Sequence, residues 1–126
     1  MSCAHTDLLV LANELKAGAT EAHWRSAISR GYYAAYHGCK LWHGALNMPG
    51  SNEGPPGGSH QQLINKLAHP APEVKGPEKT LSKTLSLYLR LLHIKRCAAD
   101  YDLGNPVDQV AAQTACNEAQ VILGKI

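Results

Sequence analysis

The residues with most chemical capacity in this 126-residue chain lie in one run, Arg25-Ser-Ala-Ile-Ser-Arg-Gly-Tyr-Tyr-Ala-Ala-Tyr-His37. Arg30 and His37 are seven positions apart. At about 100° per residue a helix returns them to one face, about 10 Å apart along its axis, with Tyr33 between them. A guanidinium holds phosphate through a fixed fork of donors, and an imidazole carries a proton near neutral pH. That pairing suits cleavage of RNA by its own 2′-hydroxyl. The reaction needs one group to move protons and another to stabilise charge on the phosphoryl oxygens, and it needs no metal or cofactor. An arginine and a histidine at this spacing also occur in many helices with no such role, so the pair gains meaning only from what surrounds it.

Helical spacing dominates the chain, and no stretch alternates with period two. Leu8, Leu11, Ala12 and Leu15 share one face, with Thr6 and Asp7 as caps and Gly18 as a stop. Thr20 and Glu21 open a second helix running to about Leu46, in which Gly31, Gly38 and Gly44 either weaken the helix, each by up to about 1 kcal/mol relative to alanine, or mark points where another backbone comes close. The segment 47–59, rich in Gly, Pro, Ser and Asn, is an internal loop, because neither flank builds a core alone. A short helix follows from His60 to Ala68, then a long one from Glu78 to about Ala99 with Leu81, Leu85, Tyr88 and Leu92 as its buried stripe. Pro106 suits the start of a last helix reaching about Gly124. The expectation is an all-α fold: one domain over 1–126, an up-and-down bundle of four long helices plus one short helix, in antiparallel order.

Composition narrows the classes. Apolar residues make up 44% and charged residues 17%, which excludes a disordered tail or a fibre. No apolar run approaches the roughly 18 residues of a membrane span, and no secretory pattern opens the chain, so a soluble cytoplasmic protein is expected. The net charge of +2 is too small to name a partner, but its distribution is uneven. Six basic residues between Lys75 and Arg96 face one acid, Glu78, and Arg25, Arg30 and Lys40 lie in an acid-free stretch. Arg25, Arg96, Tyr33 and His60 are therefore candidate substrate-binding residues around the pair, unless this is an ordinary solvated face. Tyr32, Tyr33 and Tyr36 either stack on bases or pack in the bundle. Asp100 and Tyr101 either cap the long helix or bond back to Arg30. Cys39 with His43, and His93 with Cys97, have i, i+4 spacing and would hold zinc only if their faces met; no metal is expected. The four cysteines read as reduced thiols.

The run SRGYYAAYHGC resembles the signature of HEPN domains, in the prokaryotic branch whose second helix reads Ser-Arg-x-Tyr-Tyr-Ala-x-aromatic-His. Ser59-His60 resembles that branch's Ser/Thr-His before its short helix, and Arg96 to Tyr101 resembles its Arg-x-x-Ala-Asp-Tyr. The likeness extends from about Leu8 to Leu123. It implies a helical bundle that is commonly a homodimer, related to toxins paired with a nucleotidyltransferase-type antitoxin. Many such proteins are metal-independent endoribonucleases with an Arg-x(4–6)-His motif, two copies of which meet across the dimer axis. Carried over, His37 is the general acid/base and Arg30 the phosphate clamp. Gly31 follows Arg30, and the alternative reading is a non-catalytic module that binds nucleotide, RNA or a partner protein.

Overall fold

The computed structural model describes residues 2–126 and contains helices α1 (His5–Lys16), α2 (Glu21–Gly44), α3 (Ser59–Ala68), α4 (Gly76–Tyr101) and α5 (Gln109–Gly124). No strand occurs among the described residues. Three of the five helices start where a side chain supplies an acceptor for a free N–H group, while α3 and α4 start without one. The Asp7 carboxylate accepts from the Ala4 N–H at 2.8 Å, the Thr20 hydroxyl oxygen from the His23 N–H at 3.3 Å, and the Asp108 carboxylate from the Ala111 N–H at 2.8 Å. That last cap corrects the expected start of α5 at Pro106. Asp108 terminates the non-helical lead-in, and the Val107 N–H is spent on the Glu21 carboxylate at 2.8 Å.

Contacts near both ends of each helix fix its direction. Val107 meets Glu21 at the start of α2, and Leu123 and Ile126 lie against Gly38 near its end, so α2 and α5 run the same way. Arg25 and Tyr33 reach Ala99 and Arg96 of α4 in reverse order. Ala12 and Lys16 of α1 meet Cys116 and Gln109 of α5, also reversed. Lys95 pairs with Glu118 while Lys125 lies over the Tyr88 ring, so α4 and α5 oppose one another. The four long helices therefore alternate up and down, with α2 and α5 meeting across the diagonal.

Glycine makes that diagonal close. A Cβ built on Gly38 would lie 2.4 Å from the Leu123 side chain, and one on Gly31 would just touch Ala119 at 3.7 Å. Gly44 has nothing within 4 Å, so close approach does not account for the third expected position.

α3 departs from the expected antiparallel order. Its Leu67 carbonyl accepts from the Ser82 hydroxyl at 2.6 Å and its Ile64 carbonyl from the Ser86 hydroxyl at 2.9 Å. It therefore opposes α4 and runs parallel to α2. A chain leaving α2 must travel back the length of α3 before starting it, and the segment 47–59 is that return strap. The Ser51 N–H donates to the His69 carbonyl at 2.9 Å, and buried Asn65 donates to Asn52 and to the Pro55 carbonyl at 3.0 and 2.9 Å. Gly50 permits the crossing, since a Cβ there would sit 1.9 Å from the Lys66 carbonyl oxygen.

The enclosed core holds Tyr32, Leu67, Leu85, Leu89, Leu92 and Ile122, with the thiols of Cys39 and Cys116. Tyr88, expected on the buried stripe, is exposed; Leu85, Leu89 and Leu92 instead follow the i, i+4, i+7 spacing of one face. All four cysteines are free thiols. No described helix is long and apolar enough to cross a membrane.

Candidate functional site

Where α2 passes α4 and the start of α3, one aromatic ring organises the candidate residues. The Arg30 guanidinium carbon lies 4.9 Å from the centroid of the Tyr33 ring, and that of Arg96 lies 5.1 Å from it. The His60 ring stands edge-on to it at 5.7 Å and the His37 ring stacks near it at 6.2 Å. Five of the six expected site residues thus gather in one protomer around Tyr33, supplied by α2, α3 and α4.

Arg25 is the sixth, and the structure corrects its expected role. It is 8% exposed, and its Nη1 and Nη2 groups donate to the carbonyls of Ala99 at 2.9 Å, of Asp102 at 3.2 Å and of Asn105. Its Nε pairs with Glu21 at 3.2 Å. Those carbonyls lie at the end of α4 and in the turn beyond it, where helical partners run out; of the three, the Asp102 carbonyl also accepts from the Asn105 N–H at 3.3 Å. Arg25 is the C-terminal clamp of α4, buried and committed through Nε, Nη1 and Nη2 to protein acceptors.

Arg30 and Arg96 are held differently. Arg96 donates through Nε to Asp100 and through Nη2 to the Tyr33 hydroxyl, both at 2.8 Å. The Ser29 hydroxyl also donates to Asp100 at 3.2 Å. Asp100 therefore serves Arg96 rather than Arg30. Arg30, half-buried, makes no ion pair among the described residues and only a long contact, 3.5 Å, to the Ser29 hydroxyl. Its charge is available to an anion. His37 is exposed and forms no hydrogen bond among the described residues, beside a shallow cleft lined by His5, Leu8, Lys40 and Leu41.

Tyr32 and Tyr36 are buried, so of the three tyrosines only Tyr33 can offer part of its ring to a base. Sequence reasoning passed over His93 as a member of this cluster. Its ring stacks on His60 at 5.5 Å, and its Nε2 lies 3.6 Å from the Cys97 sulfur. The signal was available: His93 is one turn before Arg96 on the same helix. The zinc arrangement does not form. Burial pushes the Cys39 thiol up to about 12, His43 Nε2 accepts from the Gly50 N–H at 3.0 Å, and among the described residues no three His, Cys, Asp or Glu side chains converge.

His37, His43, His60 and His93 all titrate below the ordinary imidazole value, in each case first because burial strips water from the charged form. Positive neighbours add to this: Lys40 and His5 at His37, Lys66 at His43, Arg96 at His93, and His93, Arg96 and His37 at His60. A lowered folded-state value means that the native chain binds fewer protons than the unfolded chain below about pH 6.5. This contribution to stability is complete above that value and is lost as pH falls through the lowered values. Thermal unfolding is therefore expected several degrees lower at about pH 5 than at about pH 7.5, as read by circular dichroism. A transition that rises on acidification would contradict the assignment.

No protein-family model matches the chain, and no curated protein or solved structure matches it.

Proposed function

We propose that this chain is a HEPN-type protein acting on RNA as a metal-independent endoribonuclease of the toxin type. The observation that carries the reading is the convergence of Arg30, Arg96, His37 and His60 on the Tyr33 ring, with Arg30 unpaired and His37 open to solvent. In this reading neutral His37 takes the proton from a 2′-hydroxyl, and the freed oxygen attacks the adjacent phosphorus. The bond to the 5′-oxygen breaks, that oxygen takes up the proton His37 removed, returned by the imidazolium directly or through water, and a 2′,3′-cyclic phosphate remains. Arg30 offsets the charge that builds on the non-bridging oxygens. A second copy docked along the exposed stripe of α2 would place two such sets face to face, and a nucleotidyltransferase-type protein is the proposed antitoxin partner. The cytoplasm is the compartment in which such a substrate and partner occur.

The test is incubation of purified protein with single-stranded RNA in excess EDTA. Cleavage in proportion to protein concentration, leaving cyclic phosphate ends, is the expected result; intact RNA, or ends of another kind, counts against it.

One observation favours a second reading, a non-catalytic module binding nucleotide or RNA in the same groove. His37 has no hydrogen-bond partner to orient it among the described residues, whereas a general base is ordinarily held by a third group. This reading expects binding that weakens steeply with salt and no turnover.

A further inference from the structure

We propose that His60 is a second phosphate-binding group of this groove, a neutral imidazole locked with its hydrogen on Nε2, which it donates to a non-bridging oxygen of a phosphodiester. The proposal rests on the RNA-directed reading above for its ligand, but the lock stands on geometry alone. Tyr32 is 0% exposed, so its hydroxyl hydrogen needs an acceptor inside the protein. The acceptor in place is His60 Nδ1, at 2.7 Å, and the hydroxyl makes no other hydrogen bond among the described residues. Nδ1 must therefore carry the lone pair, and the ring hydrogen sits on Nε2.

The surroundings hold the ring and face Nε2 outward. The His60 ring lies 4.5 Å from Tyr36 and 5.5 Å from His93, the latter stacked at 14°. Nε2 has no hydrogen-bond partner among the described residues, and no enclosed side-chain nitrogen there lacks one, so Nε2 meets solvent. Protonating His60 would put a second N–H against Tyr32 and strand the phenol hydrogen in the core. The groups facing the ring oppose the charge as well: Tyr32, Tyr33, Tyr36 and His37 from α2, and His93 and Arg96 from α4 supply no carboxylate, while Asp100 is held by Arg96 and Ser29. Burial and Tyr36 push the Tyr32 phenol well above its usual range, so it stays a donor. The two histidines thus divide the work. His37, open and unbonded, can gain and lose a proton; His60 stays neutral and polarises an oxygen without giving its hydrogen away.

Nitrogen NMR of the full chain at about pH 7.5 tests the lock. The expected spectrum shows His60 protonated on Nε2 and unprotonated on Nδ1, with Tyr32→Phe giving a mixture of tautomers. The opposite tautomer, or an imidazolium, overturns it. Titration with inorganic phosphate then tests the site: the His60 Nε2–H signal is expected to move, and an unmoved signal at saturating phosphate overturns the assignment. An all-2′-deoxy oligonucleotide, which lacks the attacking hydroxyl, supplies the third readout. His60→Phe is expected to weaken its binding at least about tenfold, and His60→Gln, whose amide N–H falls near Nε2, to restore it to within about threefold. Because the Phe variant orphans the Tyr32 hydroxyl, it is compared with Tyr32→Phe/His60→Phe, which removes both partners. Equal binding by that double variant and the unaltered protein refutes the donor role. If phosphate moves the signal but no oligonucleotide binds, the RNA reading fails and the anion site stands.

Discussion

His37→Ala is expected to leave single-stranded RNA intact over a period in which the unaltered protein consumes it. A positioned group that moves a proton contributes about 10²–10⁴-fold in rate, and that is the loss to be measured in excess EDTA. The fold should not register the change, because the ring is exposed and forms no hydrogen bond among the described residues. Thermal unfolding within about 2 °C of the unaltered protein checks this. The pH dependence gives a second handle. The base is the neutral ring, whose titration is lowered by burial and by the charges of Lys40 and His5. Cleavage should therefore rise with pH on the acidic side and level off at a lower pH than an ordinary imidazole would give. Undiminished cutting by the alanine variant sinks the assignment.

Arg25→Met is expected to act on stability with no direct effect on the groove. The substitution keeps most of the aliphatic stem but removes the guanidinium from the carbonyls of Ala99, which is buried, and of Asp102 and Asn105 in the exposed turn beyond it. Removing the charged partner of one buried and several part-buried hydrogen bonds costs about 2 kcal/mol, or roughly 8 °C in the unfolding midpoint of a domain this size. Cleavage per folded molecule, measured well below that midpoint, should stay within about twofold. A variant that keeps its stability and loses RNA cleavage would return Arg25 to the groove.

The contrast between Arg25 and Arg30 shows where sequence reading reaches its limit. Both are arginines on α2, five residues apart, and composition treats them alike. What separates them is which face of α2 meets the end of α4, a tertiary fact with no local signature. The helices themselves were legible, because Leu, Ala and Ile recur with a period near 3.6 and Thr20 caps α2 as its side chain allows. The break at Pro106 was misread because proline suits both a first helical turn and the extended approach to one. The reversal of α3 was not legible at all: direction depends on Ser82 and Ser86 reaching carbonyls across the chain, and serine in a helix looks merely polar until its partner is known. Arg30, Tyr33 and His37 were legible as neighbours because they share one helix. The lock between Tyr32 and His60, 28 residues apart, was not.

The return strap has a consequence for how such a chain can vary. His60 is seated by α3, and α3 is held on one side by the hydroxyls of Ser82 and Ser86 and on the other by the strap, through Asn65 and the His69 carbonyl. Away from those few anchors the span between α2 and α3 consists of exposed residues that bear little on the geometry of the site. Its length and composition are free to drift as long as Gly50 still slips past Lys66 and Asn65 still holds the returning backbone. Related chains sharing this groove should differ most in that span, and least in the two serines that no catalytic argument would have singled out.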